Sequence, residues 1–570
     1  MTGPEPPTPA PEVLLEQARA WMAEDPDPRT RAELTELLER PDGPDLPGLA
    51  DRFASGLQFG TAGLRGAMGA GPNRMNRVVV TRAAAGLAAF VLERARAGSP
   101  AGPVDPGAVV IGYDARHLSD TFARDTAEVV AGAGLTALVL PRALPTPVLA
   151  FAVRHLGAAA GVMVTASHNP AADNGYKVYL GGPDDQGSQI VPPVDEQISA
   201  HIRAVGPLAG VARGTEWLTL GDEVLEAYLA RATSLVDPAS PRQVRVVYTA
   251  MHGVGASVAT EALRRVGFTD VAPVLAQCTP DPDFPTVAFP NPEEPGALDL
   301  AFAQAQQVDA DLVIANDPDA DRCAVAVADR DGQWRRLSGD EVGALLAVHL
   351  VHRQAGSSPA GTMATTIVSS SMLGQVARAN GLGYAETLTG FKFVSRVPGL
   401  VFGYEEALGY CVDPQAVRDK DGITAALLIA ELAAVARAAG RTLLDELDAI
   451  DTTYGVHATR AVSYRVTDLA VIPSALHRLH SDPPVRLGGL PVEQAEDLSA
   501  GVDGLPPTDG VRYRLSHGVR VVVRPSGTEP KLKCYLEAVE QPDPDVAGAR
   551  ARAGTRLDGV QADLAVALGL

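Results

Sequence analysis

The sequence predicts a protein of several α/β domains that ends in an α+β domain. The chain has 570 residues, and single hydrophobic cores rarely grow past roughly 250–300 residues, so we expect more than one domain. Strand–helix–strand patterns recur over 108–140, 243–275 and 362–386. Three such patterns predict three similar α/β domains.

Each α/β pattern consists of an apolar strand, a helix with apolar residues at helical spacing and a second apolar stretch. The segments are AVVIGYDAR, DTFARDTAEVVAGAG and LTALVLPR; then QVRVVYTAM, ASVATEALRRVG and VAPVL; then TMATTIVSS, MLGQVARANG and an extended run. In the second pattern, the glycine turn MHGVG joins the strand to the helix.

The last hundred or so residues have a different pattern. TTYGVHATRAVSYRV and VRYRLSHGVRVVVRPSGTEPKLKCYLEAV alternate apolar and polar residues, which is typical of half-exposed antiparallel strands. A closing helix, AGARARAGTRLDGVQADLAVALGL, completes a predicted α+β domain. The predicted domains are 1–240, 241–338, 339–455 and 456–570.

The N-terminus, MTGPEPPTPAPEV, is rich in proline and has neither a basic region nor an apolar core. It therefore predicts a disordered arm rather than a signal peptide. The most apolar helical segment, ITAALLIAELAAVARAAG, is interrupted by Glu431 and Arg437, which favours a buried helix over a membrane span.

Charge and cysteine content narrow the class of partner and the compartment. The net charge of −21 argues against binding to nucleic acid or to an anionic membrane, which needs a basic surface, although a local basic pocket for a small anion stays possible. The cysteines are far apart and form no C-x-x-C pair, so neither a zinc site nor a disulfide framework is predicted. Isolated cysteines fit a reducing cytosol, and we expect a cytoplasmic protein. They are Cys278, Cys323, Cys411 and Cys534.

The stretch ADLVIANDPDADRC carries the clearest candidate metal ligands. A buried-strand pattern over 312–315 leads into Asp317, Asp319 and Asp321, spaced two apart. In an extended loop such side chains point the same way. Three neighbouring carboxylates repel unless a cation lies between them, and hard oxygen ligands suit Mg²⁺. The alternative is an acidic surface turn.

The stretch VRPSGTEPKLK places basic residues around a tight turn, which could form a nest for a phosphate group. The alternative is a hairpin turn with incidental charge. The candidate phosphate-binding residues are Arg524, Ser526, Gly527, Thr528 and Lys533.

Three weaker stretches read by themselves as ordinary loops. FGYEEALGY offers adjacent carboxylates, Glu405 and Glu406, which could accept hydrogen bonds from sugar hydroxyls. GFKFV follows Thr389 and begins at Gly390. LQFGTAGLRGAMGAGPNRMN is a glycine-rich loop that could approach an anion with Arg65.

Ser167 in VMVTASHNPAADNGYK follows a strand pattern and precedes His168. No G-x-S-x-G motif surrounds it, and neighbouring side chains of an extended segment point apart, so His168 is expected to be a poor base for it. A hydrolase triad is therefore disfavoured. A serine that caps the Asn-Pro turn is the alternative. A metal site and a phosphate nest on the same chain favour phosphoryl-transfer chemistry.

Taken together, and in this order from about residue 50 to about 540, these stretches resemble the α-D-phosphohexomutases, the phosphoglucomutase and phosphomannomutase superfamily. FGTAGLRG resembles its N-terminal loop, TASHNP its phosphoserine loop, DPDADR its metal loop, GYEEALG its sugar loop and RPSGTEPK its phosphate loop. NGYKVY, MHGVG and RPSGTEPK resemble the long branch that holds bacterial phosphoglucomutases, phosphopentomutases and glucose-1,6-bisphosphate synthase.

The resemblance implies four domains around a central cleft, three of them α/β with mixed sheets and the last α+β. It implies that Ser167 carries a phosphoryl group and holds one Mg²⁺ together with Asp317, Asp319 and Asp321. Glucose 1,6-bisphosphate would be the intermediate and activator. The residues implied at the transfer site are Arg65, Lys177 and Arg322, with Lys177 or His168 assisting proton transfer.

The resemblance also implies how the substrate is held. Ring hydroxyls would be bound by Thr389, Gly390, Glu405, Glu406 and Lys420. The non-transferring phosphate would be bound by Arg524, Ser526, Gly527, Thr528 and Lys533. One departure is Ala407, where the short branch has a serine. The family pattern therefore does not decide whether this protein prefers glucose phosphate or mannose phosphate.

The expected function is interconversion of glucose 1-phosphate and glucose 6-phosphate. The alternatives are phosphomannomutase, phosphopentomutase or glucose-1,6-bisphosphate synthase activity, and a non-catalytic phosphosugar-binding protein. We expect a small phosphosugar as partner, no nucleic acid or membrane, and a monomer or a homodimer.

Overall fold

The computed structural model describes residues 9–97, 107–353, 360–466, 468, 470–526 and 531–569. The chain forms two compact units. The first unit comprises 2–336 and 410–434, and the second comprises 337–409 and 435–570. Each unit is described by itself below.

Three short helices begin the first unit: α1 (Pro11–Glu24), α2 (Pro28–Leu38) and α3 (Leu46–Phe53). The prediction of a disordered arm is wrong from Pro11 onward. Proline is well suited to the first helical turn, where its missing N–H would have no partner anyway. The side chains of Asp27 and Asp45 accept backbone N–H groups at the starts of α2 and α3, which stabilises both ends.

The first sheet has the strand order β1-β5-β4-β2-β3-β7, with β6 beside β5. It is mixed, because β2 is parallel to β3 and β4 while β5 is antiparallel to β4 and β1. Its elements are β1 (Leu64–Ala67), α4 (Arg77–Ala97), β2 (Ala108–Tyr113), α5 (Ser119–Gly132), β3 (Thr136–Val139), α6 (Thr146–His155), β4 (Ala160–Val164), β5 (Asp173–Leu180), α7 (Gly182–Asp185), β6 (Ser188–Gln189), α8 (Val194–Arg203), β7 (Leu218–Thr219) and α9 (Glu223–Thr233).

The second sheet has the order β12-β11-β10-β8-β9. Strand β10 is parallel to β8, so the loops that follow these two strands meet at one edge of the sheet. Its elements are β8 (Val246–Thr249), α10 (Gly255–Arg265), β9 (Val271–Pro273), α11 (Asp299–Val308), β10 (Leu312–Ala315), β11 (Ala324–Ala328) and β12 (Trp334–Arg336).

The third α/β region is built around β14, β13 and β15, which run parallel. Its elements in the second unit are α12 (Gly339–Arg353), β13 (Thr362–Thr366), α13 (Met372–Ala379), β14 (Gly383–Thr387), α14 (Phe391–Val394), β15 (Leu400–Glu405) and α16 (Leu443–Tyr454). Between β15 and α16 the chain forms β16 (Gly409–Cys411) and α15 (Gly422–Ala438), and residues 410–434 of this stretch belong to the first unit. Within α15, the Glu431 carboxylate is fully buried and accepts hydrogen bonds from the Asp237 N–H and the Ser240 hydroxyl, both at 2.7 Å.

The last sheet is antiparallel, with the order β17-β22-β21-β20-β19-β18. The predicted strand over 452–466 begins only at Val456, because 452–454 complete α16. The elements are β17 (Val456–Arg465), α17 (Val471–Ser481), β18 (Arg486–Leu487), β19 (Leu490–Asp497), β20 (Val511–Leu515), β21 (Val519–Pro525), β22 (Lys531–Glu540) and α18 (Val546–Leu568).

The predicted succession of three α/β sheets and a closing α+β region is confirmed. The boundaries at 240, 338 and 455 stay predictions. Among the described residues no single helix is long and apolar enough to cross a membrane, and α15 with α16 passes that test only as a pair bent by 91°.

Candidate active site

Two turns of the first unit bring the serine and the aspartates together. Ser167 lies in the turn between β4 and β5, and Asp317 follows β10. The Ser167 hydroxyl donates a hydrogen bond to Asp317 Oδ2 at 2.8 Å, although 150 positions separate the two residues. Both side chains are buried. The predicted phosphoserine loop and metal loop therefore form one site.

The backbone of Ser167 leaves the extended conformation. Its φ is 51°, in the left-handed region, and its N–H donates to the Thr165 hydroxyl at 2.9 Å. Its Oγ lies 3.2 Å from His168 Nδ1. The expectation that the two side chains point apart is wrong, because it assumed an extended segment.

His168 is held in its neutral form beside Ser167. Burial, followed by the positive charges of Arg322 and Arg65, lowers the pKa of His168 well below 6.5. A neutral imidazole within reach of the Ser167 hydroxyl can act as a base. The sequence argument against this pair therefore does not hold in the folded protein.

The three aspartates converge as predicted. Asp317, Asp319 and Asp321 are buried, and one carboxylate oxygen from each lies within 4.8 Å of the others. A tight turn brings them together instead of the extended loop assumed from spacing: the Ala320 N–H donates to the Asp317 carbonyl at 2.8 Å, and Ala320 has a φ of 55°.

The chemistry of this cluster fits a divalent cation. Asp319 Oδ1 and Asp321 Oδ1 are buried and accept no hydrogen bond among the residues that the structure describes. Burial, followed by the charges of Asp319 and Asp321, raises the pKa of Asp317. Buried carboxylates that repel one another and keep open oxygens are what a cation with hard oxygen ligands would compensate. The three aspartates could therefore hold a metal ion.

Two lysines neutralise part of this charge. Lys177 Nζ lies 2.7 Å from Asp319 Oδ2 and 2.9 Å from Asp321 Oδ2, and Lys420 Nζ lies 3.2 Å from Asp321 Oδ2. Burial opposes the charge on Lys177, but Asp319 and Asp321 outweigh it and raise its pKa. A charged ammonium held by two carboxylates is a poor proton acceptor. Lys420, expected at the sugar, lies beside the acidic cluster, and its sugar contact stays a prediction.

Two arginines complete the surroundings of Ser167. The backbone N–H of Arg322 donates a hydrogen bond to Asp317 Oδ1 at 3.0 Å, and Nε of the Arg322 guanidinium lies 3.9 Å from Asp317 Oδ2. Arg65 Nη1 donates to Asn169 Oδ1 at 3.2 Å, two residues after Ser167. Every residue predicted at the transfer site therefore lies in this part of the first unit.

The glycine turn MHGVG packs directly against the loop that carries the three aspartates. A Cβ atom at Gly253 would lie 2.3 Å from Pro318 Cα, closer than side chains are ever found. The Val254 N–H donates to the Pro318 carbonyl at 2.8 Å. The absence of a side chain at 253 thus allows the loops after β8 and β10 to pack together.

Arg116 is a functional residue that the sequence reasoning missed. Its guanidinium is buried and donates to the backbone carbonyls of Ser167 and Asn169, both at 2.6 Å, and of Pro170 at 2.7 Å. Asp114 lies 3.4 Å away and pairs with it. Arg116 therefore holds the loop that presents Ser167. In the sequence, Arg116 is visible only as the last residue of the first strand pattern, AVVIGYDAR.

The predicted sugar residues of the second unit lie at strand ends. Glu405 is the last residue of β15 and is buried. Glu406 Oε2 accepts a hydrogen bond from the Ser369 hydroxyl at 3.0 Å. Thr389 and Gly390 directly precede α14, and Gly390 has a φ of 117°. The contacts of these residues with a sugar stay predictions.

The predicted phosphate residues lie at the end of β21 and on β22. Arg524 and Lys533 are register partners on these neighbouring strands, so their side chains are on the same face of the sheet. The Ser526 N–H donates to the Lys531 carbonyl at 2.9 Å. Gly527 and Thr528 lie outside the described residues. The phosphate grip stays a prediction.

Comparison with known proteins identifies the family. Models of phosphoglucomutase/phosphomannomutase match in chain order: α/β/α domains I, II and III at 56–207, 226–332 and 338–453, and the C-terminal domain at 481–545.

Curated relatives cover most of the chain. A Haemophilus influenzae protein named "Probable phosphomannomutase" is 46% identical over 81% of this chain and 93% of its own length. A Schizosaccharomyces pombe protein named "Probable phosphoribomutase" is 37% identical over 92% and 93%. A Staphylococcus aureus "Phosphoglucomutase" is 35% identical over 85% and 90%.

A solved structure has the same fold. It is a phosphoglucomutase/phosphomannomutase family protein from Burkholderia thailandensis, with a TM-score of 0.67 at 20% identity, over 89% of this chain and 97% of that one. The four family domains in order, together with relatives of 35 to 46% identity over 81 to 92% of the chain, place this protein in the phosphoglucomutase/phosphomannomutase family as a phosphohexomutase, an isomerase.

Proposed function

We propose that this protein moves a phosphoryl group between C1 and C6 of a hexose phosphate, with glucose 1-phosphate and glucose 6-phosphate as its main substrates. The observation that carries the proposal is the hydrogen bond from the Ser167 hydroxyl to Asp317 inside a buried triad of carboxylates. A serine at a metal-binding cluster can carry a phosphoryl group, and a protein that only binds phosphosugars has no need for such a carrier.

In the first half-reaction, the bond between phosphorus and Ser167 Oγ breaks, a bond from phosphorus to the free sugar hydroxyl oxygen forms, and the hydroxyl proton passes to Ser167 Oγ. In the second, Ser167 Oγ loses its proton and attacks the other phosphoryl group of the bisphosphate, the bond between that phosphorus and its sugar oxygen breaks, and the released sugar oxygen takes up the proton. His168 Nδ1 lies 3.2 Å from Ser167 Oγ, and we assign it to relay these protons. Because Lys177 is held charged by two carboxylates, we assign it to charge stabilisation.

Asp317, Asp319, Asp321 and a phosphoserine oxygen would hold one Mg²⁺, which when bound neutralises charge on the transferring group. The guanidinium groups of Arg65 and Arg322 are both close enough to His168 to lower its pKa, and beside Ser167 they would offer donors to phosphoryl oxygens.

The rest of the substrate is held by residues carried over from the family resemblance. Glucose 1,6-bisphosphate would turn around between the half-reactions and would activate the enzyme. We propose the following sets: Thr389, Gly390, Glu405, Glu406 and Lys420 at the ring, and Arg524, Ser526, Gly527, Thr528 and Lys533 at the non-transferring phosphate.

A second candidate is a pentose phosphate mutase, favoured by the relative named phosphoribomutase, which matches over 92% of this chain. The relative named phosphomannomutase keeps mannose open as well. We propose a cytoplasmic protein, monomeric or homodimeric, with a small phosphosugar and neither nucleic acid nor membrane as its partner.

The test is phosphorus NMR of the purified protein with Mg²⁺, a trace of glucose 1,6-bisphosphate and equal amounts of glucose 1-, mannose 1- and ribose 1-phosphate. We expect glucose 6-phosphate to appear fastest. If ribose 5-phosphate appeared fastest, a pentose phosphate and not glucose phosphate would be the main substrate. Release of inorganic phosphate alone, or no change in any resonance, would refute a mutase.

Ser167→Ala tests the carrier, and we expect no turnover. Ser234→Ala is the matched control, because Ser234 is exposed and its hydroxyl donates to the Arg231 carbonyl at the end of its own helix, α9. Full activity of Ser167→Ala would exclude a phosphoserine mechanism.

A further inference from the structure

We propose that helices α1–α3, which precede the residues matched to the family, position the loop that carries Arg65, and that Glu33 is the positioning residue through which they act. The proposal rests on the proposed function, because Arg65 matters for transfer only if Ser167 is the phosphoryl carrier. The family match begins at residue 56, so this role lies outside the matched region.

The tip of the glycine-rich loop is part of the core of the N-terminal helices. Ala70 is fully buried and packs in one cluster with Leu34, Leu49 and Phe53. Gly71, next to it, has a φ of 98°, and a Cβ atom there would lie 2.9 Å from Arg52 Cβ. The tip is therefore docked against α3 at a distance that only glycine permits.

Glu33 joins this tip to two helices at once. Its Oε2 accepts the Ala70 N–H at 2.9 Å, and its Oε1 accepts both Nε and Nη2 of Arg52, at 3.0 and 2.7 Å. The Arg52 carbonyl accepts the Asn73 N–H at 3.1 Å. Hydrogen bonds to charged groups are the strong ones, so one carboxylate from α2 fixes the loop, and α3 holds its far side.

The same loop is tied to the site on its other side. The Met68 N–H donates to the Ala172 carbonyl at 2.8 Å, in the segment that leads from Ser167 into β5. The Asn76 amide donates to the carbonyls of Gly69 and Gly71 at 2.9 and 2.8 Å, so one side chain cross-links the backbone of the loop.

Arg65 stands on β1, directly before this loop, and donates to Asn169 Oδ1 beside Ser167. Loss of the Glu33 carboxylate removes the acceptor of the Ala70 N–H and of Arg52 Nε and Nη2 together, while Arg52 Nη1 keeps the Gly48 carbonyl at 3.1 Å. The end of β1 is then no longer held in place, and the position of the Arg65 guanidinium is less well defined. Since a misplacement of about 1 Å can cost about 10²-fold in rate, a partial release is expected to cost about tenfold.

The experiment is a double-mutant cycle of Glu33→Ala and Arg65→Ala. The readout is the single-turnover rate at which phosphorylated protein transfers its phosphoryl group to glucose 1-phosphate. We expect Glu33→Ala to slow transfer about tenfold in the wild-type background and less than about twofold in the Arg65→Ala background, because residues that act as a unit are not additive. Equal losses in both backgrounds, or no loss in either, would overturn the proposal.

Glu24→Gln is the matched control. Glu24 Oε2 pairs with Arg82 Nη2 at 3.0 Å and ties the end of α1 to α4, so its loss perturbs the N-terminal helices away from the loop. We expect its transfer rate to stay within about twofold of wild type. A loss as large as that of Glu33→Ala would mean general destabilisation and would overturn the positioning role.

Hydrogen exchange separates this proposal from the proposed function. We expect Glu33→Ala to speed amide exchange over 64–76 and to leave 82–95 unchanged. If the wild type turned over no phosphosugar, the proposed function would have failed, and exchange would still decide whether Glu33 fixes the loop. Unchanged exchange over 64–76 would overturn the inference.

Discussion

Replacing Arg116 tests whether its guanidinium holds the Ser167 loop in place. The guanidinium donates to four backbone carbonyls of that loop, those of Ser167, Asn169, Pro170 and Asp173, at 2.6 to 3.2 Å. It also neutralises the buried Asp114 at 3.4 Å. A lysine keeps the charge but presents three donors from a single point, which cannot match this forked arrangement.

The expected magnitude follows from these contacts. Arg116→Ala breaks a buried ion pair and leaves Asp114 uncompensated, which typically costs about 3–5 kcal/mol. Arg116→Lys keeps part of the pairing, and we expect about 2 kcal/mol, because buried carbonyls lose their partners at about 1–3 kcal/mol. In both variants, displacement of Ser167 is expected to slow phosphoryl transfer by about 10²-fold.

Urea unfolding and single-turnover transfer are the two assays. Arg77→Ala is the control. Arg77 donates two hydrogen bonds of 2.7 Å to the buried Asp125, and Asp125 keeps a third, from Arg213, at 2.9 Å. Among the residues that the structure describes, these bonds do not involve the Ser167 loop. We expect a loss of about 1 kcal/mol and a transfer rate within twofold of wild type. Wild-type midpoint and rate in Arg116→Lys would refute the reasoning.

Three further outcomes are expected. Burial and the neighbouring carboxylates raise the pKa of Asp317 from 3.8 to about 8. With a chelator present, protonated Asp317 therefore makes its full contribution to the free energy of unfolding below pH 4, and this contribution is lost as the pH rises towards 8. Asp317→Asn should remove that slope, at most about 1.4 kcal/mol per pH unit in urea unfolding, and equal slopes would contradict it. Gly253→Ala forces a Cβ atom against Pro318 and should lower stability by about 1–3 kcal/mol and weaken Mg²⁺ binding in titration calorimetry. Gly206→Ala, with open space around its Cβ position, should change neither. Glu431→Ala removes a buried carboxylate that accepts the Asp237 N–H and the Ser240 hydroxyl and should cost about 2 kcal/mol, and an unchanged urea midpoint would contradict this.

Residues whose role depends on a short stretch could be predicted from the sequence. Asp317, Asp319 and Asp321 follow one strand, so their convergence needs only local geometry. Even there the physical reason differed, since a turn with a left-handed Ala320 brings them together. The relation of Ser167 to His168 needed a backbone angle that no pattern of residue types specifies.

Residues that act through distant backbone could not be predicted. Arg116 binds carbonyl groups more than fifty positions away, and any residue type offers a carbonyl. Lys420 reaches Asp321 because the chain returns to the first unit after residue 409. The N-terminal helices begin in a proline-rich segment whose composition alone favours disorder.

The return of residues 410–434 to the first unit has a consequence for biosynthesis. A nascent chain that has emerged through Arg336 already holds the three aspartates, but neither Lys420 nor the Glu431 carboxylate that accepts the Asp237 N–H. At synthesis rates of about 5–20 residues per second, those groups follow on the order of ten seconds later. During that interval the acidic cluster of the first unit is incompletely neutralised. Binding of a divalent cation at this stage would favour folding of the first unit.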